Sequence, residues 1–184
     1  MKTLFVLLQD GFEEVEALTI VDYLRRAEID VVTVSVKDEL FVESAHNIVV
    51  KADILLNELN LDDVKMVFVP GGLKATEVLR KDERVLELLK KLNEEKSTIV
   101  AICAGPTVLY DAGILRDKEI TSFPGVKNQF ENIAEYSEDR VVFSDNIITS
   151  RSAGTAGELA MALIEYMKDE NTRKEVENSI VFNK

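Results

Sequence analysis

Cys103 is the single cysteine of the chain and stands in Ala101-Ile102-Cys103-Ala104-Gly105-Pro106, where the residues crowding it are small. An apolar run precedes this segment and a helix-compatible stretch, Thr107, Val108, Leu109 and Tyr110, follows it. A nucleophile elbow needs that arrangement: a tight, strained strand-to-helix turn tolerates only small neighbours and projects its side chain from the top of a sheet. A helix N-terminus beyond the turn would also favour thiolate, through its dipole and free N–H groups. The plainer alternative is a small buried hydrophobe, which a lone cysteine usually is. Pro70-Gly71-Gly72 is a second strand-end signal. It has no Lys and no Ser/Thr at P-loop spacing, so it is not a nucleotide loop. Its glycines either let the backbone approach a ligand and offer N–H groups to an oxyanion, or simply form a tight turn.

The third chemical feature is acidic. Positions 13, 16, 17, 20, 21, 24 and 27 share one helical face and read Glu13, Glu16, Ala17, Ile20, Val21, Leu24 and Ala27. Five apolar residues thus continue into two carboxylates, with Glu14 expected to face elsewhere. Acidic residues in a first turn also suit the helix dipole. Glu16 lies deeper in the stripe. A partly buried carboxyl there has a raised pKa and can hydrogen-bond a thiolate or pass a proton to a substrate.

These residues need a scaffold that gathers them. Four strand-length runs are rich in β-branched and aliphatic residues: Leu4 to Leu8, Val31 to Val36, Met66 to Val69 and Thr98 to Ile102. Helical patterns lie between and after them, at Glu13 to Ala27, Ala75 to Leu79 with Val85 to Leu92, and Gly157 to Met167. Alternating buried strands and amphipathic helices predict a mostly parallel sheet covered on both faces, because each parallel crossover buries one face. Phe41 to Val50 and Val141 to Thr149 read as extra strands or hairpins, the second turned at Asp145-Asn146. In such α/β sheets ligands bind beyond the carboxyl ends of the strands. Gln9-Asp10-Gly11, Pro70-Gly71-Gly72 and the Cys103 turn are all expected at that edge. The charged segment Lys168 to Lys184 reads either as a helix packed across a dimer seam or as a loosely held end.

Bulk properties narrow the partners. The 184 residues suit one domain spanning 1–184, long enough to hide roughly 70% of its unfolded surface. With 22 Lys+Arg against 34 Asp+Glu the formal charge is −12, which repels nucleic-acid backbones and anionic membrane surfaces. One cysteine permits no intramolecular disulfide, which fits a cytoplasmic setting. The apolar run at the start is too short for a membrane span and reads as a buried strand.

Taken together, Gly11-Phe12-Glu13-Glu14-Val15-Glu16, Val69-Pro70-Gly71-Gly72, Ala101-Ile102-Cys103-Ala104-Gly105-Pro106 and Thr149-Ser150-Arg151-Ser152-Ala153-Gly154-Thr155 resemble the ThiJ/PfpI superfamily. The branch they are most similar to is that of the parkinsonism-associated protein deglycase, related to class I glutamine amidotransferases. The resemblance implies a flavodoxin-like three-layer sandwich, usually a homodimer, with Cys103 as the reactive cysteine and Glu16 as the acid that hydrogen-bonds it. Backbone groups at Gly72 and Ala104 would form the oxyanion pocket, with His46, Phe123 and Arg151 as accessory positions. It implies no metal and no organic cofactor. The activities it implies are glutathione-independent glyoxalase action on aldehydes or dicarbonyls, deglycation of early adducts, peroxide sensing through a cysteine sulfinate, and chaperone action.

Two departures shape the expected chemistry. The protease-like branch places a histidine directly after the cysteine, and Ala104 stands there, which disfavours peptidase activity. Much of the deglycase branch has a His-Pro pair near the cysteine, matched here by Phe123-Pro124. No histidine follows His46, so the amidotransferase triad is disfavoured as well. His46, in Ala45-His46-Asn47, either faces solvent on an edge strand or serves a partner subunit's Cys103. The leading expectation is an enzyme acting on reactive dicarbonyls or their adducts; the alternatives are a redox sensor that oxidises Cys103 without turnover, and a chaperone-like dimer.

Overall fold

A computed structural model describes residues 3–182. The strands are β1 (Leu4–Leu8), β2 (Val31–Ser35), β3 (Phe41–Glu43), β4 (Val49–Lys51), β5 (Ile54–Leu55), β6 (Met66–Val69), β7 (Thr98–Ile102), β8 (Glu119–Ile120), β9 (Glu135–Tyr136), β10 (Val141–Ser144) and β11 (Ile147–Ser150). The α-helices are α1 (Glu14–Arg26), α2 (Leu73–Leu79), α3 (Glu83–Glu94), α4 (Pro106–Asp111), α5 (Ala156–Met167) and α6 (Glu170–Ser179).

Among the described residues the main sheet has seven strands in the order β10-β11-β7-β6-β1-β2-β5. All its pairings are parallel except β10 with β11, the hairpin expected at Asp145-Asn146. Alternate residues of each strand feed two cores. Leu4, Val6, Leu8, Phe68, Val100 and Ile102 pack under α1 and α5, while Phe5, Leu7, Val67, Val69 and Ile99 pack under α3 and α4. The result is a flavodoxin-like α/β sandwich, and every residue of β1, β6 and β7 is buried because helices cover both faces.

The first helix forms because Ala17, Ile20, Val21 and Leu24 make a continuous buried stripe, and its last turn carries Arg25 and Arg26, which suit the dipole. It stops at Ala27, after which Glu28 turns left-handed at φ 54°. The charged tail is a helix rather than a loose end: Asp169 caps α6 by accepting the Thr172 amide at 2.8 Å, and Val176, Ile180 and Phe182 join the core under α1 and α5. No helix among the described residues is long and apolar enough to cross a membrane.

The chain runs from β1 to β2 on one side, then returns to β6 on the other side of β1. Loops leaving the two strands therefore part, opening a crevice at their carboxyl ends, which is where α/β sheets of this kind hold ligands.

Candidate active site

Cys103 follows β7 directly and adopts φ 61°, a left-handed conformation that costs an L-residue roughly 1–2 kcal/mol. Three backbone hydrogen bonds hold the turn against that strain. The Cys103 amide donates to the Ser150 carbonyl at 3.0 Å, the Phe123 amide to the Cys103 carbonyl at 2.9 Å, and the Gly105 amide to the Ile102 carbonyl at 2.8 Å. Gly105 is required for space, since a Cβ there would lie 2.5 Å from the Val69 carbonyl oxygen. The elbow read from the sequence is present, with α4 beginning at Pro106.

Glu16 is fully buried in the first turn of α1. Glu13 caps this helix, its Oε2 accepting the Glu16 amide at 2.7 Å, and so sets where Glu16 enters the site. Glu16 Oε2 accepts the Gly71 amide at 2.8 Å, while Oε1 is buried with no hydrogen-bond partner of good geometry. The carboxyl also lies within hydrogen-bond reach of the Cys103 thiol. Gly71 is the spacer between the two groups: a Cβ there would collide with Glu16 Oε2 and lie 2.6 Å from Cys103 Cβ and 3.1 Å from Sγ.

Burial pushes the Glu16 carboxyl up from 4.5 to about 7, helped by the Glu13 charge and opposed by hydrogen bonds from Cys103, the Gly71 amide and the Ala153 amide. Burial likewise pushes the Cys103 thiol up to about 12, and the Glu16 carboxylate adds to the rise. The Ser152 hydroxyl and the Ala104 amide pull the thiol down, too weakly to offset it. This corrects the expectation of a thiolate favoured by the following helix. That helix, α4, has only six residues, and its end effect is overridden by desolvation and the neighbouring carboxylate. The two groups titrate as a pair: the charge that raises Cys103 is the one Glu16 carries only when ionised.

A cavity of about 450 Å³ opens beside the pair, with Gly72, Phe123, Ser152, Lys74 and Glu43 among its lining residues. Gly72, read as an oxyanion position, lines it at φ 99°, a conformation natural to glycine. Phe123 lines it too, 39% exposed. Ser152 was not singled out from the sequence, yet its hydroxyl is 3.9 Å from Cys103 Sγ. The signal for it was weak, since a Ser in a small-residue loop is ordinary. What places it is Thr155 Oγ1, which accepts the Arg151 amide at 3.1 Å and the Ser152 amide at 3.0 Å and shapes the loop after β11.

One sequence expectation is corrected here. Arg151 does not reach the cavity; its guanidinium turns outward and donates to the Glu138 carbonyl at 2.8 Å. Glu14 faces elsewhere, off the cavity, and is buried, 9% exposed, because its side chain folds toward the turn between β3 and β4. There its Oε1 meets His46 Nδ1 at 2.6 Å. His46 is an exposed residue on that turn and does not line the Cys103 cavity of its own chain.

Comparison with known proteins shows the family and the fold. Residues 1–166 match the DJ-1/PfpI family. The Drosophila melanogaster protein dj-1beta is 33% identical over 98% of this chain and 97% of its own length. Its crystal structure superposes with a TM-score of 0.94, covering 98% of this chain and 97% of that one. A Pyrococcus abyssi protein named a deglycase is 31% identical over 89% of this chain and 96% of its own length. The Arabidopsis thaliana DJ-1 homolog B is 34% identical over 88% of this chain, which spans only 37% of that longer protein. With the elbow, the buried acid and the sandwich all in place, the chain belongs to the DJ-1/PfpI family.

Proposed function

We propose that this protein acts on reactive dicarbonyls or their adducts, in the manner of a glyoxalase or deglycase, through Cys103. The observation that carries the reading is the buried Cys103–Glu16 pair at the head of a cavity. With Glu16 near 7, the pair holds a transferable proton at neutral pH. Cys103 sulfur forms a bond to the aldehyde carbon, the carbonyl π electrons move to oxygen, and the thiol proton, taken up by the Glu16 carboxylate, is passed from there to that oxygen. The product is a hemithioacetal, and Glu16 returns to the carboxylate it began as, the base for later proton movement. Glu16 Oε1, buried without another partner, is the atom suited to both transfers. Amides at Gly72 and Ala104 are the proposed holders of the developing oxyanion.

The test is methylglyoxal consumption by the wild type, Cys103→Ser and Glu16→Gln, with peroxide titration and mass measurement on the same samples. Consumption lost in Cys103→Ser supports the reading, and consumption at the wild-type rate in that variant sinks it. One observation favours a second reading, a redox sensor: the aromatic side chain lining the cavity at Phe123 carries no transferable proton, and a positioned acid/base is worth roughly 10²- to 10⁴-fold in rate. Stoichiometric oxidation of Cys103 without dicarbonyl loss would select it. A cytoplasmic setting and a homodimer belong to the same proposal. Phe41 and Val49, 56% and 59% exposed on the outer face of the β3–β4 hairpin, are the surface we assign to a second copy.

A further inference from the structure

Glu13, Glu14 and His46 come together from two separate parts of the chain, with one donor atom of each within 4.8 Å of the others. The turn that carries His46 is built rather than loose. The Ser44 amide donates to the Ile48 carbonyl at 2.8 Å, the Ala45 amide to the Phe12 carbonyl at 2.8 Å, and Asn47 takes φ 63° to close the turn. Ser44 Oγ also accepts the Ile48 amide at 3.2 Å. These bonds fasten the turn to the loop entering α1, so the imidazole is delivered to the two carboxylates by backbone, not by chance.

A second observation points to a ligand. Glu14 is nine-tenths buried; its Oε1 is engaged by His46 Nδ1 at 2.6 Å, while its buried Oε2 has no hydrogen bond of good geometry, the Ser44 hydroxyl lying only within reach of the carboxyl. A buried carboxylate oxygen without a donor is costly, and it calls for a cation or proton. We propose that Glu13, Glu14 and His46 form a site for a divalent transition-metal ion of the zinc class, held by one imidazole nitrogen and two carboxylates at the rim of the Cys103 cavity. The imidazole selects against calcium and magnesium, which take oxygen ligands, and three protein ligands leave a coordination position for water. Metal–donor bonds of about 2.0–2.2 Å put two donors on one ion roughly 3–3.5 Å apart. The His46–Glu14 contact therefore opens slightly and the wider pairs close. His46 can make that adjustment because its side chain is 71% exposed. The positive end of the α1 dipole opposes a cation, so the ligands rather than the local field must hold it.

His46 is the only histidine in the chain, which makes its ring resonances an unambiguous reporter. Chelator-treated full-length protein carrying Cys103→Ser, which removes the competing thiol, would be titrated with Zn²⁺ and then Co²⁺, following the His46 ring protons and binding calorimetry. Expected are saturation at one ion per chain, a shift of the His46 resonances with Zn²⁺, their paramagnetic displacement with Co²⁺, and unchanged far-UV circular dichroism. His46→Ala and Glu14→Gln should each weaken Zn²⁺ by at least the roughly 10- to 100-fold that losing even an orienting partner costs. No saturable Zn²⁺ uptake would overturn the site. So would uptake that survives His46→Ala, or uptake lost in His46→Ala but untouched by Glu14→Gln, which would mark a lone surface histidine.

Discussion

The Gly71 amide donates to Glu16 Oε2 at 2.8 Å, joining residues 55 positions apart at the point where the loop after β6 meets α1. The same glycine fills the gap between the Glu16 carboxyl and Cys103, and a methyl group there has nowhere to go. Gly71→Ala should keep the sheet but force the acid and the thiol apart, with an overpacking cost of about 1–3 kcal/mol. Thermal melting reads the cost. Cys103 alkylation across pH reads the separation, and an unchanged alkylation profile would show that the pair is not set by this glycine.

Glu16 also makes stability depend on pH. Its carboxyl is raised from 4.5 to about 7 by burial, so the folded state holds the proton more tightly than the unfolded chain. The resulting stabilisation is complete below 4.5 and is lost as pH rises through about 7. The size of the shift corresponds to about 3 kcal/mol. Glu16→Gln, which cannot ionise, should match the wild type in acid and exceed it by up to about 3 kcal/mol near pH 9. Denaturant melts at the two ends of that range check it; equal stability gaps at both would contradict the assignment.

The same substitution should simplify the titration of Cys103. In the wild type the pair releases one proton near 7 and the second only toward about 12. With a neutral amide in place of Glu16, one thiol step remains, at a midpoint well below the upper wild-type step because the like charge is gone. Rates of iodoacetamide alkylation over the pH range measure this. A wild-type profile with a single ordinary thiol step would refute the coupling.

Among the described residues Ser152 supplies the one side-chain hydroxyl that reaches Cys103, at 3.9 Å. Ser152→Ala removes a group that pulls the thiol pKa down, so the thiolate should become scarcer at a given pH. A net hydrogen bond of about 0.5–1.5 kcal/mol translates to a roughly 2- to 10-fold slower alkylation below the thiol midpoint. Melting temperature should scarcely change, since the hydroxyl faces the cavity.

Phe123 is bound through its backbone to the Cys103 carbonyl and half-exposed at the cavity mouth. Phe123→His would place an imidazole where proton transfer to a bound substrate needs one. Methylglyoxal consumption should rise, by up to the roughly 10²- to 10⁴-fold that a positioned acid/base supplies. No gain would mean that proton transfer does not limit the wild type.

The scaffold was legible in local patterns of residues. Runs such as Leu4 to Leu8 and Thr98 to Ile102, and the stripe from Ala17 to Leu24, are local patterns whose period states which face is buried, and the observed elements follow them. Small residues after Cys103 stated the elbow for the same reason, because a left-handed turn at φ 61° is a local steric demand. The site's electrostatics and its membership emerge from long-range packing. Whether Glu16 and Cys103 are raised or lowered depends on what excludes water from them, and that is a sum over β6, α1 and the loop after β11. Arg151 and Ser152 are neighbours in sequence, yet Thr155 Oγ1 turns one outward and delivers the other to the sulfur. Glu14 and His46 are 32 residues apart, and their contact exists only because backbone bonds pin the β3–β4 turn to the start of α1. Periodicity carries the burial of a residue; it carries no information about which distant group shares that burial.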